Sequence, residues 1–178
     1  MALKSTVYKA SLQVSDMDRQ YYAEHPLTIA RHPSETSERM MVRLLAFALH
    51  ADPRLSFGRG LSTDDEAALW LRDYDGSIAL WIEVGLPDER ILRKACSRAE
   101  RVVLLAYGGR ALEPWWQASE QALKRLDKLG ILAISSEDSA AMCDLASRSM
   151  QLQASIQDGT VWLSGGDRMV EIHPRRIK

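Results

Sequence analysis

Neither sign of charge predominates in this sequence: 23 lysines and arginines stand against 24 aspartates and glutamates, a formal net charge of −1. That excludes the global basic field that usually accompanies strong nucleic-acid binding, but not a local patch. Only two cysteines occur, Cys96 and Cys143, far apart and without a CxxC or CxxxC partner, so both are expected to be reduced, buried small residues. The histidines His25, His32, His50 and His173 have neither HxxxH nor HExxH spacing, which argues against a zinc site. GxSxG, Walker and GxGxxG signatures are missing, and Gly58-Arg59-Gly60 is too short to signal phosphate binding. No apolar run approaches the roughly 18 residues of a membrane span, and MALKSTVYKASLQVSD has no continuous apolar h-region. The expectation is a cytoplasmic protein without membrane association.

What is present suits one domain over residues 1–178, since 46% of the residues are hydrophobic. Thr6 to Val14 alternates as a strand does, and Leu27 to Arg31 supplies a second before the turn signal His32-Pro33-Ser34. Ser34 is a good N-cap for a helix from Glu35 to Leu49, with Met41, Leu44, Leu45, Ala48 and Leu49 at helical spacing. From residue 78 to 149, strands at 78–85, 101–107 and 131–134 alternate with helices at 88–99, 111–126 and 136–149, the last capped by Ser135 or Ser136. Such alternation predicts an α/β core with parallel pairing. The tail reads as a β-meander, 151–157, 160–163 and 169–173, positioned to join the N-terminal strand in a second, small antiparallel sheet.

Within this frame the stretch IALWIEVG, residues 78–85, sets one carboxylate, Glu83, in an apolar strand. A buried carboxylate is costly unless paired, protonated or bound to a cation. If Asp75-Gly76 is the centre of a two-residue turn, Tyr74 faces Ser77, Trp70 faces Trp81, Ala68 faces Glu83 and Glu66 faces Gly85. Glu66, Ala68, Trp70, Trp81, Glu83 and Gly85 then share one face, while Ile78, Leu80, Ile82 and Val84 share the other. Two carboxylates so placed repel unless a cation intervenes, and Mg²⁺ is commonly held by one or two carboxylates. Glu38, beside the buried stripe of its helix, is the third candidate, with Asp65 replacing Glu66 if a bulge shifts the register. Other readings exist: Glu83 could pair with Arg39, Arg90 or Arg93, Glu38 could serve its helix N-terminus, and Asp64 to Glu66 could be an exposed loop. Trp115-Trp116 could stack bases, although helical periodicity favours core for at least one of the pair.

The segments ARHPSETSERMMVRLLAFAL (30–49), FGRGLSTDDEAALW (57–70), LWIEVGLPDERILRKACSRAERVVLLAYGGR (80–110) and LQASIQDGTVWLS (152–164), with the opening MALKSTVYKASL, resemble the YaeQ family of small bacterial proteins. The resemblance implies a variant of the PD-(D/E)xK nuclease fold, a mixed sheet flanked by helices. Acids on adjacent strands and on the first helix would bind Mg²⁺, and a lysine would help to activate water. By that correspondence Glu83 takes the (D/E) place and Glu38 the helix place. The lysine place holds Gly85 instead, leaving Lys94 of the following helix as the substitute, and the sequence reads Asp65-Glu66-Ala67-Ala68 where related chains often read DEP and sometimes carry an acid two residues after that Glu. The implied function is nucleic-acid binding with a weak or restricted Mg²⁺-dependent phosphodiesterase activity, held by Glu38, Asp65, Glu66 and Glu83 and assisted by Lys94. The alternative is an inactive nuclease-fold module serving a protein partner or regulation.

Overall fold

The computed structural model describes residues 4–59 and 65–178. In chain order its elements are β1 (Thr6–Asp16), β2 (Tyr21–Arg31), α1 (Ser37–Leu49), β3 (Leu55–Phe57), β4 (Leu69–Arg72), β5 (Ile78–Val84), α2 (Glu89–Arg98) and β6 (Ala99–Ala106). There follow α3 (Leu112–Leu123), β7 (Leu129–Ala133), α4 (Ser136–Cys143), β8 (Ser149–Gln157), β9 (Thr160–Gly165), β10 (Arg168–Ile172) and β11 (Arg175–Arg176). The result is an α/β fold with two mixed sheets, ordered β10-β9-β8-β1-β2 and β11-β7-β6-β5-β4-β3. None of the helices among the described residues is long and apolar enough to cross a membrane.

Helix α1 explains how the two sheets meet. Every residue from Met40 to Ala48 is buried, because one side packs on Leu12, Val14, Leu152 and Leu163 of the first sheet and another on Leu80, Ile82, Val84 and Leu105 of the second. A helix that is apolar all round is a buried helix, and MMVRLLAFA is apolar at every position except Arg43. A one-sided stripe therefore understates it. Thr36, rather than Ser34, is the N-cap, its hydroxyl accepting from the Arg39 amide at 3.1 Å. Ser34 is instead bound to His32 Nδ1 at 2.6 Å.

The opposite face of the second sheet forms a separate core, in which Trp81, Val102, Leu104 and Ile131 pack on Leu92 and Ala95 of α2 and Leu123 of α3. Strands β5, β6 and β7 pair in parallel, as the alternation of strand and helix implies. The sheet made from the chain termini departs from expectation. It is mixed and five-stranded, because β8 lies parallel to β1 from Lys9↔Ser149 to Asp16↔Ile156. Strand β2 begins at Tyr21, well before Leu27. Pro26 hides this in the sequence, yet β2 is an edge strand, where a residue without an N–H is tolerated.

The β4–β5 hairpin is also built differently. Its turn is Asp73 to Gly76, closed by the Gly76 amide on the Asp73 carbonyl at 3.0 Å, with Gly76 at φ 85°. Arg72 pairs with Ile78, and the register then shifts so that Leu71 pairs with Leu80 and Trp70 with Trp81. The shift passes over Ala79 and reverses Ile78, which packs with Trp81 rather than with Leu80. The turn and the bulge offset each other, so Trp70 still opposes Trp81. The ladder starts at Leu69↔Ile82, and Ala68 packs into the first core, on the other side of the sheet from Trp81. Ala68 is therefore not the partner of Glu83.

Candidate functional site

Period-two alternation on β5 sends Leu80, Ile82 and Val84 towards α1 and leaves Trp81 and Glu83 facing α2. Trp81 is 1% exposed and Glu83 9%. The two are adjacent on that face, and the Trp81 indole donates to Glu83 Oε1 at 2.7 Å, a hydrogen bond between two buried side chains. The guanidinium of Arg98 lies 5.1 Å from the Trp81 ring centre, and Trp70 meets the same ring edge-on at 5.7 Å. Arg98 also donates to the main-chain oxygen of Asp65 at 2.8 Å. The Asp65 carboxylate pairs with the Lys94 ammonium. That hydrogen bond first, and the lysine's charge second, hold the Asp65 carboxyl below the ordinary carboxylate range. Glu83, Trp81, Arg98, Asp65 and Lys94 thus form a continuous line of contacts from a buried strand to an exposed helix.

The remaining candidate acids lie elsewhere. Glu66 accepts from the Arg59 amide at 3.0 Å and pairs with its guanidinium at 3.4 Å. Glu38 accepts from Ser139 of α4 at 2.6 Å, on the α1 side of the second sheet. Glu83 is on the α2 side, so Glu38 and Glu83 do not converge. Among the described residues no three His, Cys, Asp or Glu side chains come together as a metal-holding group. Asp64 lies outside the described residues. Gly85, in the lysine place, has φ 104°, a backbone conformation that a lysine would adopt only with strain.

One charged cluster escaped sequence reasoning. Glu35 is 2% exposed and Arg43 1%. Arg43 Nε reaches Glu35 Oε1 and its Nη2 reaches Oε2, each at 2.7 Å, while Arg39 adds a third contact at 2.8 Å. Arg43 also donates to the Ala30 carbonyl at 3.0 Å and lies 5.6 Å from the Phe57 ring centre. Burial lowers the Arg43 pKa, and the Glu35 charge opposes that shift. The signal was available as the four-residue spacing of Glu35, Arg39 and Arg43, which brings the acid just before the N-cap of α1 onto the line of the two arginines on the helix. Trp115 and Trp116 sit at the margin of the second core, and the Trp115 indole donates to the Pro87 carbonyl at 2.9 Å, which accounts for that pair structurally. Both cysteines are free and partly buried, and burial raises both thiol pKa values.

The family model described as YaeQ protein matches residues 1–174. The uncharacterized protein YaeQ of Escherichia coli (strain K12) is 48% identical over 173 residues, covering 97% of this chain and 96% of that protein. Its counterpart in Salmonella typhi is 49% identical over 172 residues, covering 97% and 95%. Among solved structures, the YaeQ protein from Xanthomonas axonopodis pv. citri superposes with a TM-score of 0.94 at 50% identity, covering 98% of each chain. The YaeQ protein from Pseudomonas syringae gives 0.93 at 40% identity, covering 98% of this chain and 96% of that one.

Proposed function

Because this chain belongs to the YaeQ family, we propose that it is a nuclease-fold module that holds nucleic acid on the basic face of α2 and cleaves it weakly or not at all. The run α1, β3, β4, β5, α2, β6, with β3, β4 and β5 antiparallel and β5 parallel to β6, supports a PD-(D/E)xK-like core. Glu83 stands on the strand that such a core uses for its acid. The observation that carries the binding reading is the exposed stripe Arg90, Arg93, Lys94 and Arg98. These positions recur at helical spacing along one side of α2, so a phosphodiester backbone running along the helix would meet several cations in turn.

The donor set fits a resident Mg²⁺ poorly: Glu38 and Glu83 lie on opposite sides of the sheet, Asp65 is paired with Lys94, and Glu66 with Arg59. Catalysis also lacks a lysine at Gly85. Binding without efficient cleavage is the reading that uses the residues as they stand.

Fluorescence anisotropy with labelled single-stranded and duplex oligonucleotides tests this reading. The expected result is binding whose log affinity falls with log salt at a slope of about −2 to −3, corresponding to a few phosphate contacts. The double variant Arg90→Glu, Arg93→Glu should weaken it by about tenfold or more. Added Mg²⁺ or Mn²⁺ should leave the melting temperatures of the wild type and of Glu83→Gln unmoved or move both alike, with at most weak cleavage by the wild type. Binding at low salt that is absent, or unmoved by charge reversal, would leave the protein-interaction alternative standing. A metal shift confined to the wild type would restore the metal site.

A further inference from the structure

Beyond the end of α1 at His50, part of the second sheet is uncovered, and a hollow of about 690 Å³ opens over β6, β7 and β11. Its floor follows from strand register. Val103 pairs with Gly130, Leu105 with Leu132, and Leu132 with Arg176, so Arg101, Val103, Gly130 and Leu132 share the face that elsewhere packs on α1. Gly130 carries no side chain, and a Cβ built there would meet only the Lys178 main-chain oxygen, at 3.8 Å. The hollow is therefore the space that a larger residue at 130 would fill.

Its charge is net positive. Arg101, Lys128, Arg176 and Lys178 line it, against Glu100 and Asp127. Lys128 Nζ donates to the carbonyls of Cys96 and Ala99 at 3.1 and 3.0 Å, and Lys178 Nζ to those of Leu126 and Leu129, both at 2.8 Å. Arg101 Nη2 is 3.4 Å from His50 Nδ1, and Arg176 Nε is 3.4 Å from the Lys178 main-chain oxygen. These contacts hold the cations in place. A concave, partly apolar wall with net positive charge focuses its field into the cavity.

We infer that this hollow binds a small amphipathic anion, whose apolar body lies on Val103 and Leu132 and whose acidic head meets Arg101 and Arg176. The size is that of small-molecule sites, roughly 300 to 1,000 Å³. The inference does not depend on how α2 is used.

The probe is 8-anilinonaphthalene-1-sulfonate, titrated by fluorescence beside its uncharged analogue N-phenyl-1-naphthylamine. The sulfonate should bind with one site per chain and about tenfold or more tighter than the neutral dye. Arg101→Glu and Arg176→Glu should each remove about tenfold or more of the sulfonate affinity and leave the neutral dye unchanged. Gly130→Val, which a strand tolerates well, should exclude both dyes while the near-ultraviolet circular dichroism stays native. Equal affinity for the two dyes, or sulfonate binding indifferent to both charge reversals, overturns the inference. Dye binding unaltered in folded Gly130→Val does the same. Should Gly130→Val not fold, the two charge reversals decide the matter.

Discussion

At the scale of single residues, burial rather than residue type decides what each ionisable group does. His50 is the clearest case, because burial first and the neighbouring Arg101 charge second push its pKa down to about 4 from 6.5. Above pH 6.5 the ring is neutral whether the chain is folded or not, and it has no effect on pH dependence. Between about 6.5 and about 4 the unfolded chain takes up a proton that the folded chain refuses, so stability falls as pH falls through that window. The ceiling on the loss is on the order of 3 kcal/mol. Urea denaturation at pH 7, 5.5 and 4 should show the decline in the wild type and a flatter profile in His50→Leu. Equal profiles would mean that His50 titrates normally. Glu35 and Glu83 are also buried, and both are engaged by hydrogen-bond donors. Their sequence context marked Glu83, alone in an apolar run, but not Glu35, which stands in a polar stretch and is buried only because a strand and a helix close over it.

At the scale of elements, most types were legible because hydrophobic period and turn chemistry act locally, but boundaries moved: the helix expected over 136–149 ends at Cys143, and Ser149 opens β8. Asp88 and Ser135 cap α2 and α4 as side-chain acceptors, whereas α1 is capped by Thr36 and not by Ser34. The hairpin shows where local reading stops. Asp75-Gly76 signals a tight turn, but the exact turn and the bulge beside it depend on which neighbours Ile78 and Ala79 meet. Gly85 belongs to this scale as well. Its positive φ lets the chain leave β5, with its amide bonded to the Leu105 carbonyl at 2.9 Å. Gly85→Lys should therefore destabilise the protein by about 1 to 3 kcal/mol, from strain at that position. It should confer no phosphodiesterase activity. A gain of Mg²⁺-dependent cleavage with unchanged stability in urea would contradict both halves of this expectation.

At the scale of the whole molecule, α1 couples the two sheets. Its buried faces touch both, so neither sheet can open without exposing the helix, and one cooperative unfolding transition is expected. Four of the five tryptophans, Trp70, Trp81, Trp115 and Trp116, pack in or against the second core, and the fifth, Trp162, lies on β9 of the first sheet, so a Trp162→Phe background confines the fluorescence to the second sheet. Leu152→Ala removes a buried side chain from the first sheet, 3% exposed, at a cost of about 2 to 5 kcal/mol. The urea midpoints from tryptophan fluorescence and far-ultraviolet circular dichroism should move together. A fluorescence midpoint that stays in place would mean that the two sheets unfold separately.

The sequence by itself determined the order and type of most elements, the parallel pairing of the central strands and the isolation of Glu83 on the tryptophan face. These follow from periodicities of two and near four, which act over a few residues. Only the tertiary structure decided that β8 runs parallel to β1, that α1 is buried on every side and that Glu38 and Glu83 face away from each other across one sheet. Those outcomes depend on which surfaces meet after the chain has closed on itself, and no local pattern encodes the partner across a core.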